Sequence, residues 1–341
     1  MMSDVGQLFE ENAALIALLN TSDRKRDSWP SIANSVEREG SAVRLLMHEI
    51  DPSANPLFDD EDPEDYENGC PTLFGDDEFG SPPRRRAELE QAREAARAEL
   101  RTWADTGLDF ISVLDERYPN RLRQVVDMPP FLFADGTMKQ DELGVSVVGS
   151  RKATPDALAF ARDTADMLVD EHLTVIAGLA AGIDAEAHRQ TLADGGRTVA
   201  FIGTGITRQY PPQNRDLQRE IGGRGLVLSQ FWPGQPPTRY TFPMRNASMS
   251  GYGIATVVVQ AGEHSGTRIQ ARQAQQHGRP VILRDQVAET TQWGRNLIGR
   301  PGVYIVSTVD DVRNALDDIL NTDRIMQTAL DQLIGAYAET R

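Results

Sequence analysis

From Val145 onward the chain alternates between short apolar runs and longer stretches in which apolar residues recur at helical spacing. The apolar runs lie at 145–149, 173–177, 197–202, 225–229, 254–260, 280–284 and 303–306. Helical spacing marks 155–171, 182–194, 213–221, 244–252, 266–278 and 309–320, with a further amphipathic helix over 322–341. Strands alternating with helices of this length call for βαβ units, and so for a doubly wound, mainly parallel α/β sheet over residues 111–310. Upstream the period is helical throughout. One short amphipathic helix is predicted over 5–20. One or two more follow from Trp29 to Ile50, with Ile32, Val36, Val43, Leu46, Met47 and Ile50 on one face and Gly40 as a break. Residues 1–50 therefore read as a small helical domain. Residues 84–110 hold a charged helix whose Arg and Glu stand at spacings that allow i,i+4 pairs.

Between these lies a segment of another character. Residues 51–80 carry eleven acidic residues and no basic one. With Pro and few apolar side chains, segment 51–83 buries too little surface to offset the entropy of ordering, about 1–2 kcal/mol per residue, and reads as a mobile linker. It also changes the meaning of the net charge of −16. From Ser112 to Asp311 there are 21 Lys and Arg against 21 Asp and Glu, so the α/β core is neutral and can present a local basic groove. Nearly all of the basic residues are Arg, which suits bidentate phosphate contacts but equally follows from a GC-rich genome.

The turns that close the strands are where chemistry is expected. In an open α/β sheet they gather at the carboxyl edge, where ligands bind. Gly149-Ser150-Arg151 combines close backbone approach, a hydroxyl and a cation. Gly178 to Gly182 forms a second Gly-rich turn without G-x-G-x-x-G spacing, and Gly203 with Gly205 forms a third, followed by Tyr210-Pro211-Pro212 and Asn214 as a helix cap. Ser265-Gly266-Thr267 offers hydroxyls and amides at a helix start. Phe242 beside Arg245-Asn246 suits base stacking with a phosphate grip, or alternatively a buried anchor for its loop. Arg268 and Arg272, four apart, either line a groove or solvate an exposed face. Asp184 reads as a helix-start carboxylate and His188 as its packed structural partner. Together these turns form a surface for phosphates, belonging to a nucleotide or to a nucleic-acid backbone.

No nucleophile–base pair, carboxylate pair or G-x-x-x-x-G-K-[ST] loop stands out, so binding is favoured over catalysis and neither metal nor cofactor is expected. The one cysteine, Cys70, permits no disulfide within a chain. No basic start of a signal peptide and no run of membrane-spanning length are seen, which together point to the cytoplasm.

Taken in order, the motifs resemble those of the DNA-processing protein A family (DprA, also called Smf). The pattern opens at Leu114-Asp115-Glu116-Arg117-Tyr118-Pro119, with Leu122 and Pro129-Pro130-Phe131-Leu132-Phe133. It runs through Gly149-Ser150-Arg151, Gly178 to Asp184 with Ala187-His188, and Gly203-Thr204-Gly205-Ile206 with Tyr210-Pro211. It closes with Phe242, Arg245-Asn246, Ser265-Gly266, Ala271, Ala274 and Gly278-Arg279. The resemblance implies an extended Rossmann-like fold with a small helical N-terminal region, assembled as a homodimer. It also implies binding of single-stranded DNA, protection of incoming strands and help in loading the RecA recombinase during natural transformation, without turnover chemistry. By motif match Arg151, Phe242 and Arg245 would touch DNA. The family's second Arg after Arg-Asn is replaced here by Ala247-Ser248-Met249-Ser250, and its Glu before Ser-Gly by Gln260. Its C-terminal winged-helix-like domain is not expected, since only helical sequence follows residue 310. A nucleotide- or small-ligand-sensing domain, or a nucleotide hydrolase of phosphoribohydrolase type, are the alternatives that the same sheet edge allows.

Overall fold

The computed structural model describes residues 4–22, 28–50 and 83–339. The linker expected over 51–83 lies outside them except for Pro83, which opens a helix. Two compact units are present, one of Met1–Tyr118 with Met128–Leu132, the other of Pro119–Asp127 with Phe133–Arg341.

The first unit contains α1 (Asp4–Thr21), α2 (Trp29–Glu39), α3 (Ala42–Ile50), α4 (Pro83–Asp105) and β1 (Asp109–Ser112). The apolar run Ala13–Leu19 of α1 is buried along its whole length. Gly40 ends α2 at φ 67°, returning its amide to Val36 and Glu37, a left-handed stop that costs glycine little. The charged helix α4 does form an i,i+4 pair, Arg86–Glu90. Its tertiary anchor is Glu10 of α1, which receives Arg93 at 2.7 Å and Arg97 at 2.6 Å. Phe131 packs between Trp29 and Phe110, and the Tyr118 hydroxyl donates to Pro129 O at 2.6 Å.

The second unit begins with α5 (Asn120–Arg123) and β2 (Phe131–Gly136, within this unit from Phe133). There follow β3 (Gly144–Gly149), α6 (Pro155–Asp170), β4 (Thr174–Ala177), α7 (Ile183–Ala193), β5 (Thr198–Phe201), α8 (Arg215–Arg224) and β6 (Leu226–Ser229). The second half holds α9 (Thr241–Tyr252), β7 (Ala255–Gln260), α10 (Gly266–Gln276), β8 (Val281–Arg284), α11 (Asp285–Thr290), α12 (Gln292–Arg295), β9 (Val303–Val306) and α13 (Val309–Glu339). The strands stand in the order β2-β6-β5-β4-β3-β7-β8-β9. All neighbours are parallel except β2 and β6, which run antiparallel. This is the doubly wound, mainly parallel sheet predicted from the alternation. Its central strands are apolar and buried along nearly their whole length because helices cover both faces. Val145 and Val147 of β3 join α6, α7 and α13 in one core, whereas the alternate Ser146 turns to the other face and donates to Met249 O of α9.

Among the differences from the sequence reading are two helix boundaries and one cap. The separate helices expected at 309–320 and 322–341 are one helix, since no Gly or Pro interrupts the chain between Val309 and Ile334. Helix α9 starts at Thr241 rather than 244, with Pro243 in its first turn, where a missing amide costs nothing. Asn214 makes no capping bond to α8. Its side chain is buried, donating to Leu179 O at 3.0 Å and accepting from Arg189 at 3.3 Å.

Candidate nucleic-acid interface

Strand order reverses between β3, which leads to β4, β5 and β6 on one side, and β7, which leads to β8 and β9 on the other. The carboxyl ends of strands at such a reversal open the crevice in which α/β sheets bind ligands. Here the crevice holds a cavity of about 440 Å³. Gly149, Ser150, Arg151, Phe242, Arg245, Asn246, Ser265, Gly266 and Thr267 all reach its wall.

Gly178, Gly182, Gly203 and Gly205, expected to bind phosphate, do not line it. Their missing side chains make room for protein. A Cβ on Gly178 would lie 2.3 Å from Arg245 Nη1, and one on Gly203 2.7 Å from the Phe242 ring. Gly182 has φ +81°, and a Cβ there would meet Ser150 O at 2.2 Å; at Gly205 it would meet Trp232 O at 2.1 Å. These glycines let the loops that shape the cavity pack on one another.

The floor of the cavity is a buried polar cluster. Arg245 is only 5% exposed. Its Nη1 donates to Phe201 O at 2.6 Å and to Gly178 O, joining the ends of β4 and β5, while Nε donates to Asn246 Oδ1 at 3.0 Å. Asp184, equally buried, accepts from the amides of Gly178 (3.1 Å) and Ala180 (3.3 Å). Burial raises the Asp184 carboxyl, opposed by the charge of Arg245 and by the loop amides. Burial also brings Arg245 down to about 10, which leaves it charged at neutral pH. His188 does not pair with Asp184 as expected. Its Nδ1 lies 2.6 Å from the hydroxyl of Thr198, which itself donates to Val175 O, so Nδ1 is the donor. Burial first, then the nearby Arg245, hold this imidazole down to about 3, so it is neutral.

The rim is different. Arg151 and Lys152 are exposed. The Arg151 guanidinium stands 5.6 Å from the centre of the Phe242 ring, with Arg245 beneath at 5.9 Å and Tyr210 beside it at 5.9 Å. Phe242 is half-buried: it rests on Gly203 and keeps part of its surface free. The Ser150 hydroxyl accepts from the amide of Lys152, and α6 starts only at Pro155 under its own cap, Thr154. Gly149-Ser150-Arg151 is thus a free-standing turn rather than the opening of a helix. Ser265 caps α10, accepting from Thr267 N at 3.0 Å.

Lys152 and Gln270 also line the cavity and were missed. Gln270 is 2% exposed, and its amide nitrogen has no hydrogen-bond partner among the described residues. The signal available was its position, one turn after Gly266 and Thr267 on the same face of α10.

Comparisons with known proteins bear on the family and the fold. The family model for DNA recombination-mediator protein A matches residues 109–317. The DNA processing protein DprA of Streptococcus pneumoniae is 34% identical over 203 residues, 59% of this chain and 72% of that protein. Protein Smf of Synechocystis is 38% identical over 178 residues, 51% of this chain but only 45% of the relative's length. The crystal structure of the S. pneumoniae protein superposes with a TM-score of 0.59 at 31% identity, covering 69% of this chain and 83% of that one. The DNA processing protein A of Helicobacter pylori, at 22% identity, shares the fold with a TM-score of 0.55 over 62% of this chain and 96% of its own. The matched residues run from β1 into α13 and include every wall of the cavity: the chain belongs to the DNA recombination-mediator protein A family.

Proposed function

We propose that this chain is a single-stranded DNA-binding recombination mediator that holds the strand at the β3/β7 crevice and performs no turnover chemistry. The observation that carries the reading is the cavity itself. Exposed cations at its rim (Arg151 and Lys152), a partly exposed ring at Phe242 and the amide-bearing Gln270 line one space. These are the parts that grip a backbone, stack a base and bond to an acceptor. Family membership supports it, as does the single-stranded DNA binding mode of the H. pylori relative. Among the described residues a Ser250–His277–Asp127 chain has the connectivity of a hydrolytic triad, at 2.9 and 3.2 Å. Ser250, however, is 1% exposed and donates to Ala247 O, so it serves packing rather than attack. Pairing into a homodimer and assistance to a RecA-type recombinase belong to the same proposal. No helix among the described residues is long and apolar enough to cross a membrane.

The test is a titration of fluorescent oligo-dT against a panel of mononucleotides at two salt concentrations. Binding of oligo-dT that weakens with salt, with far weaker mononucleotide binding, is expected. Tight mononucleotide binding without oligo-dT binding would make the chain a nucleotide sensor instead.

A further inference from the structure

A second cavity of about 510 Å³ lies on the outer side of α10. Arg268 and Arg272 of α10 and Arg300 of the loop before β9 line it, over a floor formed by Trp293. It shares Ser265 and Ile269 with the first cavity, so the two adjoin at the first turn of α10. The sequence left Arg268 and Arg272 between a groove and a solvated face. The structure puts them in the groove and adds Arg300, 28 residues further along the chain.

We infer that this cavity is a second phosphate-binding subsite, which takes the backbone of a single strand as it leaves the first. The inference rests on the function proposed above. Its three guanidinium groups are exposed, and none makes an ion pair or side-chain hydrogen bond among the described residues. Elsewhere in this acidic chain arginines are commonly engaged: Arg162 by Glu186, Arg197 by Glu142, Arg224 by Glu220 and Arg284 by Asp156. No described carboxylate lines the second cavity. Glu263, close by in sequence, accepts from the amide of Gln292 at 2.7 Å. Three like charges held round one hollow repel one another, and an incoming polyanion relieves that repulsion.

The floor is fixed independently of any ligand. Thr291 caps α12 by accepting from Gly294 N at 3.0 Å, and the Trp293 indole donates to Gly262 O at 3.2 Å. Trp293 is 7% exposed, so it offers no free face for a base. The subsite therefore grips phosphates without reading sequence, which positions the strand without selecting it.

The experiment compares the full chain with a triple variant, Arg268→Ala, Arg272→Ala and Arg300→Ala, using two probes. A short oligo-dT of about six nucleotides fits one subsite, whereas one of about twenty spans both. The subsite predicts unchanged binding of the short probe, which also reports an intact fold. It predicts roughly tenfold weaker binding of the long probe at low salt, with a log–log salt slope smaller by about 2. The corresponding triple Lys variant should keep most of that slope. Equal long-probe affinity and slope in the Ala variant and the parent would overturn the inference and leave the proposed function standing. Equal weakening of both probes would also overturn it, because the arginines would then act on the first cavity. If the parent binds neither probe, the proposed function fails and the subsite with it.

Discussion

Arg245 at the floor of the crevice and Arg151 at its rim flank the same aromatic ring, yet they do opposite work. The floor residue is sealed in, donating to the carbonyls of Gly178 and Phe201 that end two strands. Its counter-charge, Asp184, holds the amides of the same turn. The rim residue is exposed and its guanidinium lies over Phe242. A positive charge in a binding cavity is therefore not always a charge available to a ligand. At the floor it holds the loops that shape the cavity, and at the rim it is free to meet what enters.

The sharpest way to break this contrast is to remove the floor. Arg245→Ala leaves Asp184 buried without its counter-charge and two strand-end carbonyls without a donor, a loss of about 3–5 kcal/mol. Urea unfolding should show the midpoint falling, by that loss divided by the m-value. A midpoint within experimental error of the parent would mean that Arg245 is a ligand group after all.

The floor also sets a pH response. His188 is neutral in the fold, with its pKa down at about 3, while the unfolded imidazole takes up a proton below its ordinary value of 6.5. Its contribution to stability is thus complete above pH 6.5 and is lost as pH falls towards 3, at about 1.4 kcal/mol per pH unit. His188→Gln should flatten the stability-versus-pH curve between pH 6 and 4, on the order of one proton's slope. An unchanged slope would show that another group titrates there.

Much of this molecule was legible in the chain, for reasons that can be named. The strands of the second unit are short apolar runs with a Gly or Ser behind most of them, and burial on both faces makes such runs conspicuous. The turn residues that converge on the cavity follow directly from placing those strands in a doubly wound sheet. What could not be read was the depth of each side chain. Arg245 and Arg151 look alike in sequence. A hint lay in the small residues behind Arg245, from Ala247 and Ser248 to Ser250 and Gly251, which mark a helix packed closely on its neighbours. The same limit applies to the glycines. A glycine that admits a phosphate and one that admits a neighbouring guanidinium, as Gly178 does, have the same local pattern. Asn214 reads as a cap because caps are local, whereas its partner Leu179 is 35 residues away in the chain.

The ring between floor and rim gives an intermediate effect. Phe242→Leu keeps apolar support for Gly203 but removes the stacking face. It should cost about 1–3 kcal/mol of oligo-dT binding with little change in melting temperature. A large drop in melting temperature with unchanged affinity per folded molecule would assign Phe242 to the floor.

The smallest change tests the central claim most directly, that the rim of the β3/β7 crevice grips a nucleic-acid backbone. Oligo-dT affinity is measured as a function of salt for the parent and for Arg151→Ala, with melting curves on both. The account predicts unchanged melting and weaker binding, by a similar factor for oligo-dT and for a mixed sequence, with the log–log salt slope smaller by about 0.7. Equal slopes and affinities for parent and variant would contradict it and move the strand away from this crevice.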